Sequence, residues 1–341
     1  PSYTPAMPSP PLLIRHATVF DGSGGPGSRD DLLVLDGLVA ARGPDLPAPP
    51  DAEVLDGRGC WLTPGFIDLH THYDAEVELA PGLTESLRHG VTTIVLGSCG
   101  LGMTLGDPDD LADMFCRVEG IPRAVVAPLL RRIKTWDDPA SYLAHLDGLA
   151  LGPNVASMLG HSCIRAAVLG MERALDRRVR PTRAELDRMT QLLEDALDAG
   201  YIGLSVNTLP WDKMDGDAFR SRPTPSVFAR WAEYTHLMGP LRRRDRLLQA
   251  VPNISTRWNI LRFAWESLPL PGRASLRTTL LTLADPRSDR LVVHLATFLA
   301  RVLNRFLGAR FRWQALPHVF DLYSDGLEVP IIEELTTGTE A

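Results

Sequence analysis

Short stretches that alternate apolar and polar residues begin the chain and predict β-strands. Residues 12–20 form the first of these stretches. Residues 32–41 contain two apolar runs on either side of Asp36 and Gly37, a dipeptide that favours a two-residue hairpin turn. Residues 51–62 supply a further strand. These strands lie close together in the chain and predict a small sheet.

From residue 64 onward, strands alternate with amphipathic helices. Apolar stretches predict strands at residues 65–72, 91–96, 155–159, 202–206, 247–251, 278–283 and 311–316. Helices are predicted at residues 83–89, 107–118, 136–149, 182–199 and 298–307. Regular alternation of this kind is typical of an α/β barrel with parallel strands. We therefore predict a small β-domain at residues 12–63, followed by an α/β barrel at residues 64–341.

The predicted barrel lacks a convincing eighth strand. Residues 329–332 are apolar, but they follow the seventh strand too closely for a helix to lie between. We therefore expect either a chain truncated at its C-terminus or a barrel that is completed from elsewhere. An open barrel leaves two unpaired edges, so self-association into oligomers is expected. Five prolines within residues 1–11 predict disorder there.

Composition and charge narrow the class of protein. The chain has 341 residues, of which 45% are apolar and 23% are charged, a balance typical of globular proteins. A net charge of −7 and a pI of about 5.7 give no reason to expect nucleic acid as a partner. No apolar run is long enough for a membrane span, and no signal peptide is recognisable. Four cysteines without paired spacing indicate a reducing compartment, so a cytoplasmic location is expected.

Two histidines at the predicted end of the first barrel strand are the strongest chemical signal. The residues Pro-Gly-Phe-Ile-Asp-Leu precede His70, and Thr71 separates it from His72. A strand places residues i and i+2 on one face, so both imidazoles can bind the same metal ion. The alternative is an incidental pair of histidines. We expect Asp68 or Asp74 to hold the second nitrogen of an imidazole, unless these carboxylates only cap the loop.

A cysteine between glycines follows the second predicted strand. Cys99 lies in the sequence Gly-Ser-Cys-Gly, just after residues 91–96. A thiol at an exposed strand end can bind a metal ion, and it then loses its proton. The alternative is a small buried cysteine, which is the usual place of this residue type. The other cysteines, Cys60, Cys116 and Cys163, are interpreted as structural.

Together these motifs resemble the signature of the amidohydrolase superfamily. The sequence around His70 and His72 is similar to the segment that ends the first strand of those metal-dependent barrels. The sequence around Cys99 resembles the N-acyl-D-amino-acid deacylases, or D-aminoacylases, in which a cysteine thiolate joins the histidines at the metal. The resemblance extends over about residues 12–334. It implies a TIM-like hydrolase barrel, a zinc ion bound by His70, His72 and Cys99, and hydrolysis of the linear amide of a small N-acyl amino acid.

Three further residues are candidates for contacts with such a substrate. His161 follows the third strand in the sequence Leu-Gly-His-Ser, which resembles a Gly-His of the deacylases. Arg222 lies in a polar loop after the fourth strand, where its guanidinium can pair with a carboxylate, and Arg220 is an alternative. His318 follows the seventh strand and is placed to reach the barrel mouth. A structural histidine and a solvated arginine are the other interpretations.

The sequence also departs from the family that it resembles. In the better-known D-aminoacylases, strands 5 and 6 each supply a metal-binding histidine, and an aspartate after strand 8 is the general base. The fifth and sixth strands here contain no histidine, and Gln249 and Asn253 are poor substitutes for imidazole at zinc. No residue corresponds to the aspartate, so no catalytic residue is assigned. We expect a partial metal site and weak activity at most from these residues alone.

Two other functions stay open. A cyclic-amide hydrolase of the dihydroorotase or hydantoinase type would need a carboxylated lysine on the fourth strand. Residues 201–206 contain no lysine, and Lys213 lies well beyond them. A non-catalytic barrel fragment that binds a small molecule or a partner would explain the missing histidines. Metal content distinguishes these functions, because a catalytic site retains zinc and a binding relic does not.

Overall fold

The chain divides into two units, each with its own β-sheet, in the computed structural model. The structure describes residues 10–253, 258–283 and 291–315. The boundary between the units lies between Phe66 and Ile67. Most of the N-terminal residues predicted to be disordered lie outside the described residues, as does the apolar stretch at 329–332.

The first unit contains a five-stranded sheet. Its strands are β1 (Leu12–Val19), β2 (Ser28–Leu35), β3 (Leu38–Gly43), β4 (Glu53–Asp56) and β5 (Trp61–Leu62). The strand order is β3-β2-β1-β4, with β5 also paired to β1. Asp36 and Gly37, between β2 and β3, both have positive φ, as a two-residue hairpin turn requires. The predicted hairpin is therefore confirmed.

The stretch predicted as one strand at residues 51–62 forms two short strands instead. Both pair in parallel with β1, β4 with its first half and β5 with its last residues. Between these halves the register of β1 shifts, and His16 has a positive φ of 59°. Gly57 lies at this point, where a Cβ would come within 2.9 Å of Ala17 Cβ. The predicted strand is divided because its partner strand bends.

The second unit is built on a sheet of seven described strands. They are β6 (Phe66–Asp68), β7 (Val91–Leu96), β8 (Asn154–Gly160), β9 (Gly203–Asn207), β10 (Leu247–Val251), β11 (Arg277–Leu283) and β12 (Phe311–Ala315). Their order in the sheet is their order in the chain. From β7 to β12, each strand runs parallel to the next. The described residues thus show the alternation that the sequence predicts for an α/β barrel.

Helices connect these strands. They are α1 (Glu76–Leu79), α2 (Thr84–Arg88), α3 (Pro108–Glu119), α4 (Arg123–Ile133), α5 (Pro139–Asp147), α6 (His161–Leu169), α7 (Met171–Ala174), α8 (Arg183–Ala199), α9 (Trp231–Arg243), α10 (Trp258–Glu266) and α11 (Leu291–Phe306), with a 3₁₀ helix at Pro225–Phe228. The sequence pattern does not predict α4 or α9, each of which contains an internal proline, Pro128 or Pro240. None of these helices combines the length and apolar character that a membrane span requires.

Helix α8 begins and ends where the sequence predicts. Thr182 Oγ1 accepts a hydrogen bond from Glu185 N at 3.3 Å, and Glu185 Oε2 accepts one from Thr182 N at 2.7 Å. These reciprocal bonds form a capping box. Gly200 follows the last helical residue with a positive φ of 120°. Local signals at both ends therefore define this helix.

Buried leucines join the strands of the second unit into one core. Leu96, Leu159, Leu204, Leu248 and Leu280 come from β7 to β11 in succession, and each is 0% exposed. Burying a leucine side chain of this kind contributes roughly 1.5–3 kcal/mol. The apolar residues of consecutive strands thus hold the sheet against its helices.

The seven-stranded sheet curls, so that groups near its first and last strands meet. His70 follows β6 and Gln314 lies in β12, yet His70 Nδ1 and Gln314 Oε1 are 3.0 Å apart. The first strand ends at Asp68, earlier than predicted, so the histidines lie in the segment that follows it. Thr71 keeps this segment beside β7, because its hydroxyl donates to a carbonyl of that strand at 2.8 Å. The carboxyl ends of the strands therefore face one shared space.

Candidate metal centre

Three side chains that metal ions favour as ligands converge at the carboxyl end of the sheet. His70 and His72 lie in the segment after β6, and Cys99 lies in the turn after β7. His70 Nε2 is 3.2 Å from His72 Nε2 and 3.2 Å from Cys99 Sγ. All three ligand atoms lie within 4.8 Å of one another. The structure thus brings together the three residues that the sequence predicts as metal ligands.

The spacing of these atoms matches the requirements of a tetrahedral zinc site. Zinc binds imidazole nitrogen at about 2.0–2.1 Å and thiolate sulfur at about 2.3 Å. With tetrahedral angles, two such nitrogens lie about 3.3 Å apart, and a nitrogen and a sulfur lie about 3.6 Å apart. The two nitrogens are 3.2 Å apart, close to the first value, and the His70 nitrogen lies 3.2 Å from the sulfur, somewhat closer than the second. Since the third pair also lies within 4.8 Å, the three donor atoms are close enough to bind one zinc ion after small adjustments.

Each imidazole has an oxygen acceptor beside its other nitrogen. Glu119 Oε1 lies 2.8 Å from His72 Nδ1, and Gln314 Oε1 lies 3.0 Å from His70 Nδ1. The Gln314 oxygen accepts the Nδ1 proton of His70, so the Nε2 lone pair of that ring is directed toward the shared space. The Glu119 carboxylate is a close charge beside His72 Nδ1, but it lies outside hydrogen-bond geometry. Glu119 is the last residue of α3, and Gln314 belongs to β12. A helix and the last strand of the sheet therefore orient the two rings.

Asp68 and Asp74, the expected partners of the imidazoles, bind backbone groups instead. Asp68 Oδ1 accepts a hydrogen bond from the His70 N–H at 3.2 Å. Asp74 Oδ1 accepts one from the Gly97 N–H at 3.2 Å, and burial raises the pKa of Asp74 to about 6. A short aspartate side chain readily reaches the N–H two residues further along the chain, as Asp68 does. Asp74 instead joins its segment to the turn after β7, so neither carboxyl has the role of ring partner.

Burial and neighbouring charges set the protonation of the three ligand residues. Burial and the charge of His72 together lower the pKa of His70 to about 4, so His70 is neutral near pH 7. Burial opposes the charged form of His72 as well, but Cys99 and Glu119 raise its pKa above the usual value. Burial also raises the pKa of the Cys99 thiol. A metal ion must therefore displace the Cys99 proton when it binds, and also the Nε2 proton of His72 wherever that ring is charged.

Glycines and one serine shape the turn that carries Cys99. Gly97, Cys99 and Gly100 have positive φ values of 74°, 55° and 75°. A Cβ at position 97 would lie 2.0 Å from Met158 O, so only glycine fits there. The Ser205 hydroxyl, from β9, accepts a hydrogen bond from the Gly100 N–H at 2.9 Å and donates to Gly97 O. The direction of the thiol therefore depends on β9 as well as on β7.

A further carboxyl near the three ligand residues was not predicted as part of the site. Asp212 lies in the loop after β9 and accepts a hydrogen bond from the Asn207 amide. Burial raises the pKa of Asp212 to about 6, while the charge of His72 opposes the shift and that of Glu119 adds to it. The ionisation of Asp212 is therefore coupled to the metal-ligand side chains.

His161, a candidate for substrate contact, is enclosed by protein groups. The residue is 0% exposed, with Nδ1 3.1 Å from Ser226 Oγ and Nε2 3.1 Å from Glu233 Oε1. The fully buried Arg165 pairs with the same carboxylate. Protein groups thus enclose the ring, with a hydrogen-bond partner at Nδ1 and the Glu233 carboxylate beside Nε2 outside hydrogen-bond geometry. A contact of His161 with substrate stays a prediction that this geometry does not favour.

The other two candidates for substrate contact differ in how much the structure describes. Arg222 Nη2 donates to Leu175 O at 2.6 Å, and the guanidinium lies 5.8 Å from the ring centres of Phe219 and Phe228. Arg222 therefore has protein partners, and its pairing with a substrate carboxylate stays a prediction. His318 lies outside the described residues.

Several residues of the site have partners far away in the chain, and sequence analysis did not assign them. Gln314 is 244 residues from His70, and Gln249 in β10, which bonds Cys99 N, is 150 residues from its partner. Glu119 ends a helix, where a carboxylate has no distinctive local pattern. Gln249 and Gln314 are polar residues in mostly apolar strands. This contrast is the feature of the sequence from which their place in the site could have been predicted.

Comparisons with known proteins extend these observations. No protein-family model matches the chain. An uncharacterized protein of Mycobacterium tuberculosis (strain ATCC 25618 / H37Rv) is 47% identical over 334 residues, which are 97% of this chain and 54% of that protein. The N-acyl-D-aspartate deacylase of Alcaligenes xylosoxydans xylosoxydans is 36% identical over 198 residues, which are 58% of this chain and 36% of that enzyme. The chain thus spans about half the length of the mycobacterial relative, and less of the deacylase.

A solved structure of a deacylase is similar to this chain in its fold. The N-acyl-D-glutamate deacylase of Bordetella bronchiseptica, solved with zinc and a phosphonate inhibitor, matches with a TM-score of 0.67 at 24% identity. The match covers 90% of this chain and 58% of that one. The described residues share the fold of that deacylase. In sequence, 57–58% of the chain is similar to three deacylases of Alcaligenes xylosoxydans xylosoxydans at 34–36% identity, and the motifs around the histidines and the cysteine predict this similarity.

The raised pKa of Asp212 predicts how stability depends on pH. The folded state binds the Asp212 proton more tightly than the unfolded state, so the free energy of unfolding falls as pH rises from about 4 to 6. Asp212→Asn has no carboxyl to ionise and should not show this loss. As pH rises from about 4 to 6, we expect the free energy of unfolding of Asp212→Asn to increase by on the order of 2 kcal/mol relative to that of wild type. Urea unfolding of the metal-free protein measures it. Asp217→Asn, at an exposed aspartate of the same loop, is the matched control. A pH dependence equal to that of wild type in Asp212→Asn would contradict the assignment.

Proposed function

We propose that the protein is a zinc-dependent hydrolase of linear amide bonds, of the N-acyl-D-amino-acid deacylase type. The observation that carries this proposal is the convergence of His70 Nε2, His72 Nε2 and Cys99 Sγ at distances that fit one zinc ion. A divalent metal ion held there supplies Lewis acidity, which polarises an amide carbonyl and acidifies water. The similarity to deacylases in sequence supports the choice of reaction.

The chain's own groups support binding of the metal. Gln314 keeps the proton of the His70 ring on Nδ1, away from the shared space, and the Glu119 carboxylate lies 2.8 Å from His72 Nδ1 as a charge partner. His70 is neutral near pH 7, so no proton has to leave this ring when it becomes a ligand. The Cys99 proton has to leave, and protons therefore compete with the metal as pH falls. These groups favour a zinc site that is stable at neutral pH and is lost in acid.

Two observations support the proposed class of substrate, the names of two relatives and the guanidinium of one arginine. The names of two relatives specify an N-acyl-D-aspartate and an N-acyl-D-glutamate as their substrates. Every N-acyl amino acid carries a carboxylate, which a guanidinium can bind with two parallel hydrogen bonds. We assign this role to Arg222, whose guanidinium has five N–H donors and uses one of them for Leu175 O. The substrate would then be an N-acyl amino acid of D configuration.

A non-catalytic binding function is the second candidate. It is favoured by the absence of histidine from β10 and β11, where the deacylases that the sequence resembles have metal ligands. A cyclic-amide hydrolase receives no comparable support, because β9 contains no lysine. Zinc content separates the binding function from the hydrolase, since a binding relic has no need of a metal ion.

Zinc content is the first expected outcome of the proposal. We expect the purified protein to retain about one zinc ion per chain and His70→Ala or Cys99→Ser to lose most of it, because each removes one of three ligands. Elemental analysis after gel filtration measures the zinc-to-protein ratio. His89→Ala, which alters an exposed histidine after α2, is the matched control and should retain zinc. Equal zinc in His70→Ala and wild type would contradict the site.

Glu119 provides a test of how the rings are oriented. Glu119→Gln replaces a charged acceptor beside His72 Nδ1 with a neutral amide of the same shape, and we expect zinc affinity to fall by about 10- to 100-fold. Competition with a chelating dye measures this affinity. Glu85→Gln, at an exposed carboxylate of α2, controls for the change in net charge. An affinity for Glu119→Gln within twofold of wild type would argue against its role.

The choice of amino acid configuration tests the reaction. We expect zinc-dependent release of free amine from N-acetyl-D-aspartate or N-acetyl-D-glutamate, and much less from their L forms. The rate should be about 10²–10⁴-fold below that of the Alcaligenes deacylase, because no general base is assigned among the described residues. Amine detection with and without added zinc measures turnover. A preference for L substrates would remove the deacylase assignment, and turnover independent of zinc would remove the metal mechanism.

A further inference from the structure

The side chain of Gln249 crosses the space inside the curled sheet. Gln249 lies in β10 and is 1% exposed. Its Oε1 accepts a hydrogen bond from the Cys99 N–H at 3.2 Å, and its Nε2 donates to Leu69 O at 3.3 Å. The amide oxygen faces a backbone donor and the amide nitrogen faces a backbone acceptor, so these two partners determine the orientation of the amide. One side chain therefore bridges two segments that belong to other strands.

Both segments carry candidate metal ligands. Leu69 directly precedes His70, and Cys99 is itself one of the three ligand residues. The two bonds of Gln249 therefore reach the backbone beside His70 Nε2 and Cys99 Sγ, atoms that are 3.2 Å apart. Holding these backbone groups at a fixed separation also restricts the distance between an imidazole and a thiol.

The Cys99 backbone has a particular need for such support. Its φ of 55° lies in the left-handed region, which residues with a Cβ rarely occupy. A buried N–H in this turn also requires an acceptor, and Gln249 Oε1 provides it. Without this bond, the turn would be free to relax toward a more ordinary backbone, and the thiol would move with it.

The same contacts argue against Gln249 as a metal ligand. Both polar atoms of its amide are already bonded to backbone groups. Binding a metal through Oε1 would compete with the bond to Cys99 N, and an amide oxygen is a poor ligand for zinc beside imidazole and thiolate. The geometry thus gives Gln249 a function that differs from coordination.

We propose that Gln249 is a positioning residue of the metal centre, which holds the His70 segment and the Cys99 turn in register through one amide. The inference rests on the proposed function, because the centre is assigned to a metal ion there. Loss of the amide leaves two buried backbone groups without their partner and releases the turn. The thiolate should then be the ligand that is most disturbed.

Cobalt(II) is the probe for this effect, because a thiolate ligand gives it a charge-transfer absorption that imidazole ligands do not. Gln249→Met keeps a similar side-chain length without the amide, and Gln249→Asn keeps the amide on a shorter chain that cannot reach both partners. Gln191→Met is the matched control, since Gln191 is exposed on α8 and donates to Asp195 at 2.7 Å. We expect both Gln249 variants to bind cobalt about 10- to 100-fold more weakly and with less thiolate absorption per bound ion. The control should behave as wild type.

Hydrogen exchange of the metal-free protein gives a second readout that needs no metal. We expect the Cys99 N–H to exchange at least about tenfold faster in Gln249→Met and Gln249→Asn, because its acceptor is lost or displaced. If circular dichroism shows that Gln249→Met does not fold, Gln249→Asn decides the result. Failure of wild type to bind cobalt would refute the proposed metal function, while unchanged exchange would independently overturn the inference about Gln249. Faster exchange with wild-type cobalt affinity and thiolate absorption would also overturn it, because the bond would then have only a structural role.

Discussion

The site depends on one physical constraint, which is that buried polar atoms need hydrogen-bond or charge partners. Two half-buried imidazoles and a buried thiol lie within 4.8 Å of one another, and polar atoms in such a space cost free energy unless they are bonded. Each ligand segment has its neighbour in a different element: a hydrogen-bond partner in β12 for His70 and in β10 for the Cys99 backbone, and the charge of Glu119 in α3 beside His72. The curl of the sheet brings these elements together. The site is therefore a property of the whole second unit and not of the motif around the histidines alone.

Strand β10 differs from the corresponding strand of the deacylases that the sequence resembles. The family that the sequence resembles has a metal-binding histidine in the strand that corresponds to β10. In this chain β10 contains no histidine, and the amide of its Gln249 is bonded to Leu69 O and Cys99 N. On the proposal made above, β10 supplies no ligand and instead stabilises the segments that carry the candidate ligands. The donor set that results, two imidazoles and one thiolate, still fits tetrahedral zinc.

Sequence reasoning succeeded where the physical signal is local. The strands at residues 91–96 and 247–251 match β7 and β10, and the capping box at Thr182 begins α8. It failed where partners are distant or where context outweighs propensity. Gln314 lies 244 residues from the ring that it orients, so sequence analysis considered the nearby Asp68 and Asp74 as ring partners, with loop capping as the alternative that the hydrogen bonds favour. The predicted strand at 51–62 divides because β1 bends, which is a feature of another part of the chain.

X-ray absorption at the zinc edge tests the central claim most directly, because it counts the ligand atoms around the ion in the loaded protein. We predict one sulfur at about 2.3 Å together with two imidazole nitrogens at about 2.0–2.1 Å, with the sulfur contribution lost in Cys99→Ser. A first shell of nitrogen and oxygen alone in the wild-type protein would contradict the account, since Cys99 would then lie beside the metal without binding it.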